Sequence, residues 1–428
     1  MNTESSKLNF FRQSGWVVIA TMMGGVFMYA VHILAGKMPK AEYGVFTTML
    51  QILNLMGIPA IGLQSVFAQQ AAAALTEEQR RELSGTTRAV MAGIFVIWVL
   101  MAAPLVMLHD RLVLALQVTH PSALWFTLLL GLGALWFPIM CGVLQGRQNF
   151  LWYGNVYIMN GVGRFAAIFV LVYLLGGLSP SAVLGAFIGL ATATGLGAWQ
   201  NRFCWTDRAI YPQWKPWLAR VVPLTLGAGA TMFMMSADMI FVQRYFDRNE
   251  TGFYAAAGMI GRALIFFTIP ISAVMFPKVV ASAAKSEKTN VVFLSLGATA
   301  LLGASASIFC TIFPELPLRL VYDKSFLKVA PLVPWFVWCM LPLTLVNVLA
   351  NNLLARQRYG VVPWLVLLAV AYAGVLEWQL PALAKGPDLI QSFSSVVQIL
   401  GLFSLLLLTV CLVFTWLDFS RSKVVKPS

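Results

Sequence analysis

The chain has 428 residues, 59% of them hydrophobic and only 11% charged, about half the charged share of an ordinary soluble domain. Apolar runs recur from Ser14 to Trp416 with no polar interval long enough to fold alone, which excludes a water-soluble globular protein and makes the bilayer the solvent. The net charge of +13 reads as a topology signal and an attraction to anionic membrane lipid, and not as a nucleic-acid surface.

A spanning helix needs about 20 largely apolar residues, since only helices and closed barrels satisfy their own backbone groups in hydrocarbon. Strand-like alternation is absent. Windows of that size predict an all-α integral membrane protein with twelve spans, at 14 to 36, 44 to 73, 88 to 108, 123 to 146, 154 to 176, 181 to 203, 217 to 243, 252 to 276, 290 to 314, 329 to 355, 361 to 380 and 390 to 416. The first apolar run follows a polar MNTESSKLNFFRQS and is too long, with no small-residue cleavage site, to read as a removable signal peptide, so that span is expected to be retained. TEEQRREL, Thr76 to Leu83, reads as a charged cytoplasmic extension of the third helix. CWTDRAIYPQWKPW, Cys204 to Trp217, mixes basic residues with Trp and Tyr, as the membrane interface favours. It is read as the linker between an N-lobe of spans 1–6, residues 1–208, and a C-lobe of spans 7–12, residues 209–428.

Lys and Arg resist translocation. With twelve spans, 18 of them fall on the side of both termini and nine on the other. Acidic residues divide evenly, so both termini are expected in the cytoplasm.

The chain also repeats. AEYGVF, with Glu42 and Gly44, is matched by NETGFY, with Glu250 and Gly252, 208 positions later. VLQGRQNF, with Arg147 and Gln148, is matched by NLLARQRY, with Arg356 and Gln357, 209 positions later. Six spans per half is an even number, so the halves insert the same way, as a parallel repeat. Pro59 and Pro270, in the second and eighth spans, are expected hinges, and Pro138 and Pro342 break helical hydrogen bonds in the fourth and tenth.

Two cations remain inside the spans: Arg164 in the fifth, roughly 15 Å from its cytoplasmic end, and Arg262 in the eighth at similar depth. A charge at the bilayer centre costs about 2.5–3.5 kcal/mol on insertion scales. Guanidinium stays charged and binds phosphate oxygens bidentately, so the functional reading is an anion-binding site. The structural alternative pairs Asp238, in the seventh span, with Arg262 and leaves Arg164 bonded to helix carbonyls. Asp238 is also a candidate carrier of a coupling proton or cation. His32, near the outer end of the first span, either takes part in coupling or snorkels to the surface. Gln64, Asn155, Asn160 and Asn347 bond sugar hydroxyls or join helices. The five cysteines are scattered without a CxxC pair, and His32, His109 and His120 make no local metal motif. No metal, cofactor or disulfide framework is expected.

The segments from Leu34 to Gln70, Gly142 to Arg164 and Ser236 to Phe266 resemble the polysaccharide-biosynthesis flippases of the multidrug/oligosaccharidyl-lipid/polysaccharide (MOP) exporter superfamily, and the resemblance covers nearly the whole chain. It implies a MATE-like fold of two six-helix lobes around a central cavity lined by cationic residues. It also implies alternating access and an undecaprenyl-pyrophosphate-linked oligosaccharide as cargo, moved for O-antigen or capsule in a bacterial cytoplasmic membrane. Other glycan-assembly proteins are further expected partners. A cation-coupled drug or metabolite exporter of the same fold is the alternative, and would favour acidic residues in the cavity. A glycan polymerase or ligase is disfavoured, since the longest outer loops, near 109–122 and 315–328, are too short for a catalytic domain. The protein is therefore expected not to be an enzyme.

Overall fold

The computed structural model describes residues 3–211, 214–264 and 291–424. Among them every regular element is helical, and the chain divides into two compact units, Met1–Thr225 and Leu226–Ser428.

The first unit contains α1 (Thr3–Ala35), α2 (Lys40–Met56), α3 (Ile58–Ala73), α4 (Glu77–Met107), α5 (His109–Ala115), α6 (Ser122–Gly146), α7 (Phe150–Ile168), α8 (Ser179–Gln200) and the short α9 (Phe203–Thr206). α10 (Trp214–Tyr245) crosses the unit boundary. The second unit continues with α11 (Arg248–Arg262), α12 (Val291–Ile312), α13 (Glu315–Val321), α14 (Leu332–Ala355), α15 (Val362–Leu383) and α16 (Leu389–Val424). Nine of the described helices are long and apolar enough to span a membrane, and α2 with α3, bent by 44°, makes a tenth. Of the twelve expected spans, the first is described as an apolar stretch of 17 residues, Ile19–Ala35. The eighth begins as α11 and runs into residues outside the described set. The protein is a multi-pass membrane protein.

Local chemistry explains several boundaries. At Thr76 a capping box closes the start of α4: the Thr76 hydroxyl accepts from the Gln79 amide at 3.3 Å and Gln79 Oε1 accepts from the Thr76 amide at 3.0 Å. Glu77 and Glu78 then occupy the first turn, where the helix dipole favours acids. The break at Gly57 separates α2 from α3, and Pro59 sits in the first turn of α3, where its missing N–H costs nothing. The expected hinge residue thus lies beside the 44° bend. Pro270 lies outside the described residues. Pro138 and Pro342 lie inside continuous helices, α6 and α14.

Without a hydrophobic drive between helices in lipid, close packing is carried by small residues. A Cβ on Gly161 of α7 would meet the Gly24 carbonyl oxygen of α1 at 2.4 Å. A Cβ on Gly142 of α6 would meet the Gln64 carbonyl oxygen of α3 at 2.5 Å, and one on Gly189 of α8 would meet the Arg164 amide nitrogen of α7 at 2.3 Å. The Gly161 and Gly189 contacts press α7 between α1 and α8, and the Gly142 contact joins α6 to α3.

The repeat reappears in the backbone. α2 begins at Lys40 and α11 at Arg248, the 208-residue offset of the sequence match. After α6 the Arg147, Gln148 and Asn149 amides donate to Val143, Gln145 and Leu144. After α14 the Arg356, Gln357 and Arg358 amides donate to Asn352, Leu354 and Leu353, the same pattern 209 residues on. Gln148 and Gln357 hold the left-handed position of these turns, at φ 57° and 58°.

Candidate functional site

The buried charge of the second unit is made by α10 and α11. Asp238 is wholly buried, and Arg262, the last residue of α11, is 7% exposed. Arg262 Nη2 donates to both Asp238 oxygens, at 2.7 and 2.6 Å, and Arg262 Nε donates to the Met235 carbonyl at 3.0 Å. The Tyr254 hydroxyl donates to Asp238 Oδ2 at 2.8 Å, under the rings of Phe336 and Phe393. Gly258, one turn before Arg262, leaves room for the guanidinium: a Cβ there would lie 2.5 Å from Nη1. The site is therefore an ion pair whose charges cancel. The Arg262 charge read from the sequence as free for substrate is balanced from inside the unit, and the Asp238 carboxylate read as a coupling group already accepts three hydrogen bonds.

The first unit is arranged differently. Arg164 on α7 is 6% exposed, and its Nε is buried without a hydrogen-bond partner. Among the described residues no carboxylate forms an ion pair with it. One turn earlier, Asn160 Oδ1 is also buried and unpartnered. Tyr157 and Tyr153 continue the same face toward the start of α7, their rings 5.0 Å apart. Gln64 of α3 donates to the Tyr153 hydroxyl at 3.3 Å and to Gln145 Oε1 of α6 at 3.4 Å. Residues 153, 157, 160 and 164 thus form one polar column along the helix, ending on an uncompensated cation. Just beyond it the helix widens into a π-helical stretch, Phe169–Leu174, a variation frequent at functional sites. Asn160 lies in the column and Gln64 of α3 bonds to it, whereas the two tyrosines and Gln145 were not evident from the sequence as parts of the site. The signal was present in the spacing of Tyr153, Tyr157, Asn160 and Arg164.

His32 does not snorkel. It is 4% exposed, and its Nδ1 lies 3.0 Å from the Tyr43 hydroxyl of α2, beside the rings of Tyr29 and Phe46. Near it in sequence, and also missed, is Glu42. Its buried carboxylate accepts from the Ser179 amide at the start of α8 at 3.0 Å and from the Thr119 hydroxyl, with His120 Nε2 at 3.8 Å. Glu42 caps α8 and ties α2 to it.

Solved structures of low sequence similarity share this helix arrangement over nearly the whole chain. An inward-facing multidrug resistance transporter of the MATE family, MOP superfamily, is 12% identical with a TM-score of 0.71, covering 97% of this chain and 100% of its own. The lipid II flippase MurJ in an inward closed conformation is 12% identical with a TM-score of 0.67, over 98% of this chain and 94% of its own. A MOP superfamily transporter from Pyrococcus furiosus, described as having a binding pocket of reversed polarity, is 12% identical with a TM-score of 0.67, over 97% of this chain and 96% of its own. The chain has the MOP fold. No protein-family model and no curated protein matches the sequence. α7, which carries Arg164, belongs to the first of the two units.

Proposed function

We propose that the protein is a flippase that moves a lipid-linked oligosaccharide, with an undecaprenyl-pyrophosphate anchor, between the leaflets of a bacterial cytoplasmic membrane by alternating access. On this reading both termini are cytoplasmic, the glycan serves cell-surface polysaccharide, and no covalent step occurs. The observation that carries the proposal is Arg164, buried in a spanning helix with its Nε unpartnered and no internal counter-charge among the described residues. An uncompensated buried cation is costly, and a passing phosphate would supply the missing charge. Asn160 and the tyrosines below it offer hydrogen bonds to sugar hydroxyls. Arg262 then serves as a structural charge paired to Asp238. Pro59, and Pro270 at the same level of the repeat, are the proposed hinges. The fold is used for both kinds of cargo, since the proteins that share it include a lipid II flippase and multidrug resistance transporters. A cation-coupled exporter is the weaker reading, because Asp238 is engaged by Arg262 and Tyr254.

The test compares Arg164→Gln and Arg164→Lys in cells, with membrane expression matched. A charge-assisted hydrogen bond is worth about 1.5–3 kcal/mol, so Arg164→Gln should slow export by about tenfold to a hundredfold. Lipid-linked glycan should build up on the cytoplasmic leaflet, as identified by mass spectrometry, while Arg164→Lys keeps part of the activity. Unchanged export in the Gln variant would remove Arg164 from the mechanism. Accumulation of unpolymerised product on the outer leaflet would indicate a polymerase instead.

A further inference from the structure

A second basic feature lies apart from Arg164, at the ends of α3 and α6 and the start of α4. A cleft of about 130 Å³ is lined by Ala71 of α3, Ala74 just after it, Arg80 and Leu83 of α4, Arg147 just after α6, and Phe203 of α9. Both guanidinium groups lie over the Phe203 ring, Arg147 at 4.3 Å and Arg80 at 5.6 Å from its centroid.

The walls are held in place. Arg88 donates from Nε to the Cys204 carbonyl at 2.6 Å and from Nη2 to the Asp207 carbonyl, clamping α9 to α4. The Ile210 amide donates to the Arg81 carbonyl at 3.0 Å, and Gly85 permits that approach, since a Cβ there would lie 2.0 Å from the Ile210 oxygen. The backbone at Arg147 is set by the left-handed turn at Gln148, with the Arg147 amide donating to the Val143 carbonyl at 3.1 Å.

The charge in the cleft is incomplete. Asp207 is the one carboxylate paired there among the described residues, and it sits 3.5 Å from Arg80. Arg147 forms no ion pair among them. Burial, and then repulsion from Arg80, push the Arg147 pKa below its ordinary value. The repeat shows what this turn does when its charge is satisfied internally: Arg356, 209 positions on, lies 3.6 Å from Asp418, which also binds Arg358 at 2.5 Å. Among the described residues no such acid pairs with Arg147. Its surroundings are also interfacial, with Leu75, Trp199, Trp205 and Tyr211 exposed nearby in the chain.

We infer that this cleft binds the phosphate of an anionic phospholipid headgroup, with Arg147 and Arg80 on the phosphate oxygens and Phe203, Ala71 and Ala74 against the glycerol end. The chemistry it recognises is a phosphate ester of net negative charge, and the apolar wall favours a lipid over free phosphate. The site is independent of the cargo proposed above.

The test uses the delipidated full chain in detergent, titrated with dihexanoyl phosphatidylglycerol, dihexanoyl phosphatidylcholine or inorganic phosphate, and read by native mass spectrometry and thermal shift. Phosphatidylglycerol should bind saturably and more tightly than phosphatidylcholine. Arg147→Gln should weaken it by about fivefold, the contribution of one surface cation. Arg147→Lys should retain most binding, and Arg356→Gln should leave it unchanged. Equal binding of the two lipids, or unaltered affinity in folded Arg147→Gln, overturns the assignment. Inorganic phosphate displacing the lipid at equal concentration overturns the lipid and makes this a free-phosphate site. Should Arg147→Gln fail to fold, Ala74→Leu, which narrows the cleft without changing charge, decides the matter: phosphatidylglycerol binding as in the parent chain overturns the assignment.

Discussion

Asp238 and Arg262 are 24 residues apart and share two contacts of 2.6 and 2.7 Å, with the Tyr254 hydroxyl also on Asp238 and the Tyr254 ring against Phe336 and Phe393. Their energetics follow from burial. Desolvating each charge is expensive and their attraction offsets it, so removing one partner costs about 3–5 kcal/mol whereas replacing both costs far less. Arg262→Gln and Asp238→Asn should each lower the melting temperature in detergent markedly, and the double variant should recover most of the loss. A double variant as unstable as the sum of the singles would show that the two residues act separately. Arg164 should behave in the opposite way. With no carboxylate paired to it among the described residues, Arg164→Gln should leave the melting temperature of the empty protein unchanged or raised, while impairing transport. Stability and activity thus separate the two arginines.

At the scale of elements, the turns after α6 and α14 place a glutamine where glycine is usual. The left-handed conformation costs an L-residue roughly 1–2 kcal/mol, partly offset by the greater freedom that glycine has in the unfolded chain. Gln148→Gly and Gln357→Gly should therefore each stabilise by about 0.5–1 kcal/mol, measured by thermal unfolding, and by similar amounts because the two turns have the same hydrogen bonds. Destabilisation by either would show that its side chain holds something. The pairing of α1 with α7 through Gly24 and Gly161 is equally specific, since a Cβ at Gly161 would lie 2.4 Å from backbone. Placement of the helices was legible in the hydrophobic runs, and the two glutamine turns in the matched RQ motifs. The clamp of α9 on α4 was not, because Arg88 reaches carbonyls more than a hundred residues away.

For the whole molecule, orientation rests on 18 basic residues against nine. Lys385→Cys, on the expected outer side, should react with a membrane-impermeant maleimide in intact cells, and Glu78→Cys only after permeabilisation. The reverse pattern would invert the protein. Background from native thiols should be low: four of the five cysteines are buried, and burial pushes the Cys204 thiol up to about 11. The parallel repeat also makes the units comparable residue by residue. Arg147 and Arg356 occupy the same turn, yet the first faces Arg80 and the second faces Asp418.

The sequence by itself determined that the bilayer is the solvent, that the helices number about a dozen in two like halves, and that two arginines lie within them. These follow from hydrophobicity, length and local spacing, which each segment carries on its own. Only the tertiary structure decided which arginine is neutralised. Partner choice depends on which helix faces meet: α11 packs so that Arg262 reaches Asp238 on α10, while α7 buries Arg164 with its Nε unpartnered and, among the described residues, no carboxylate paired with it.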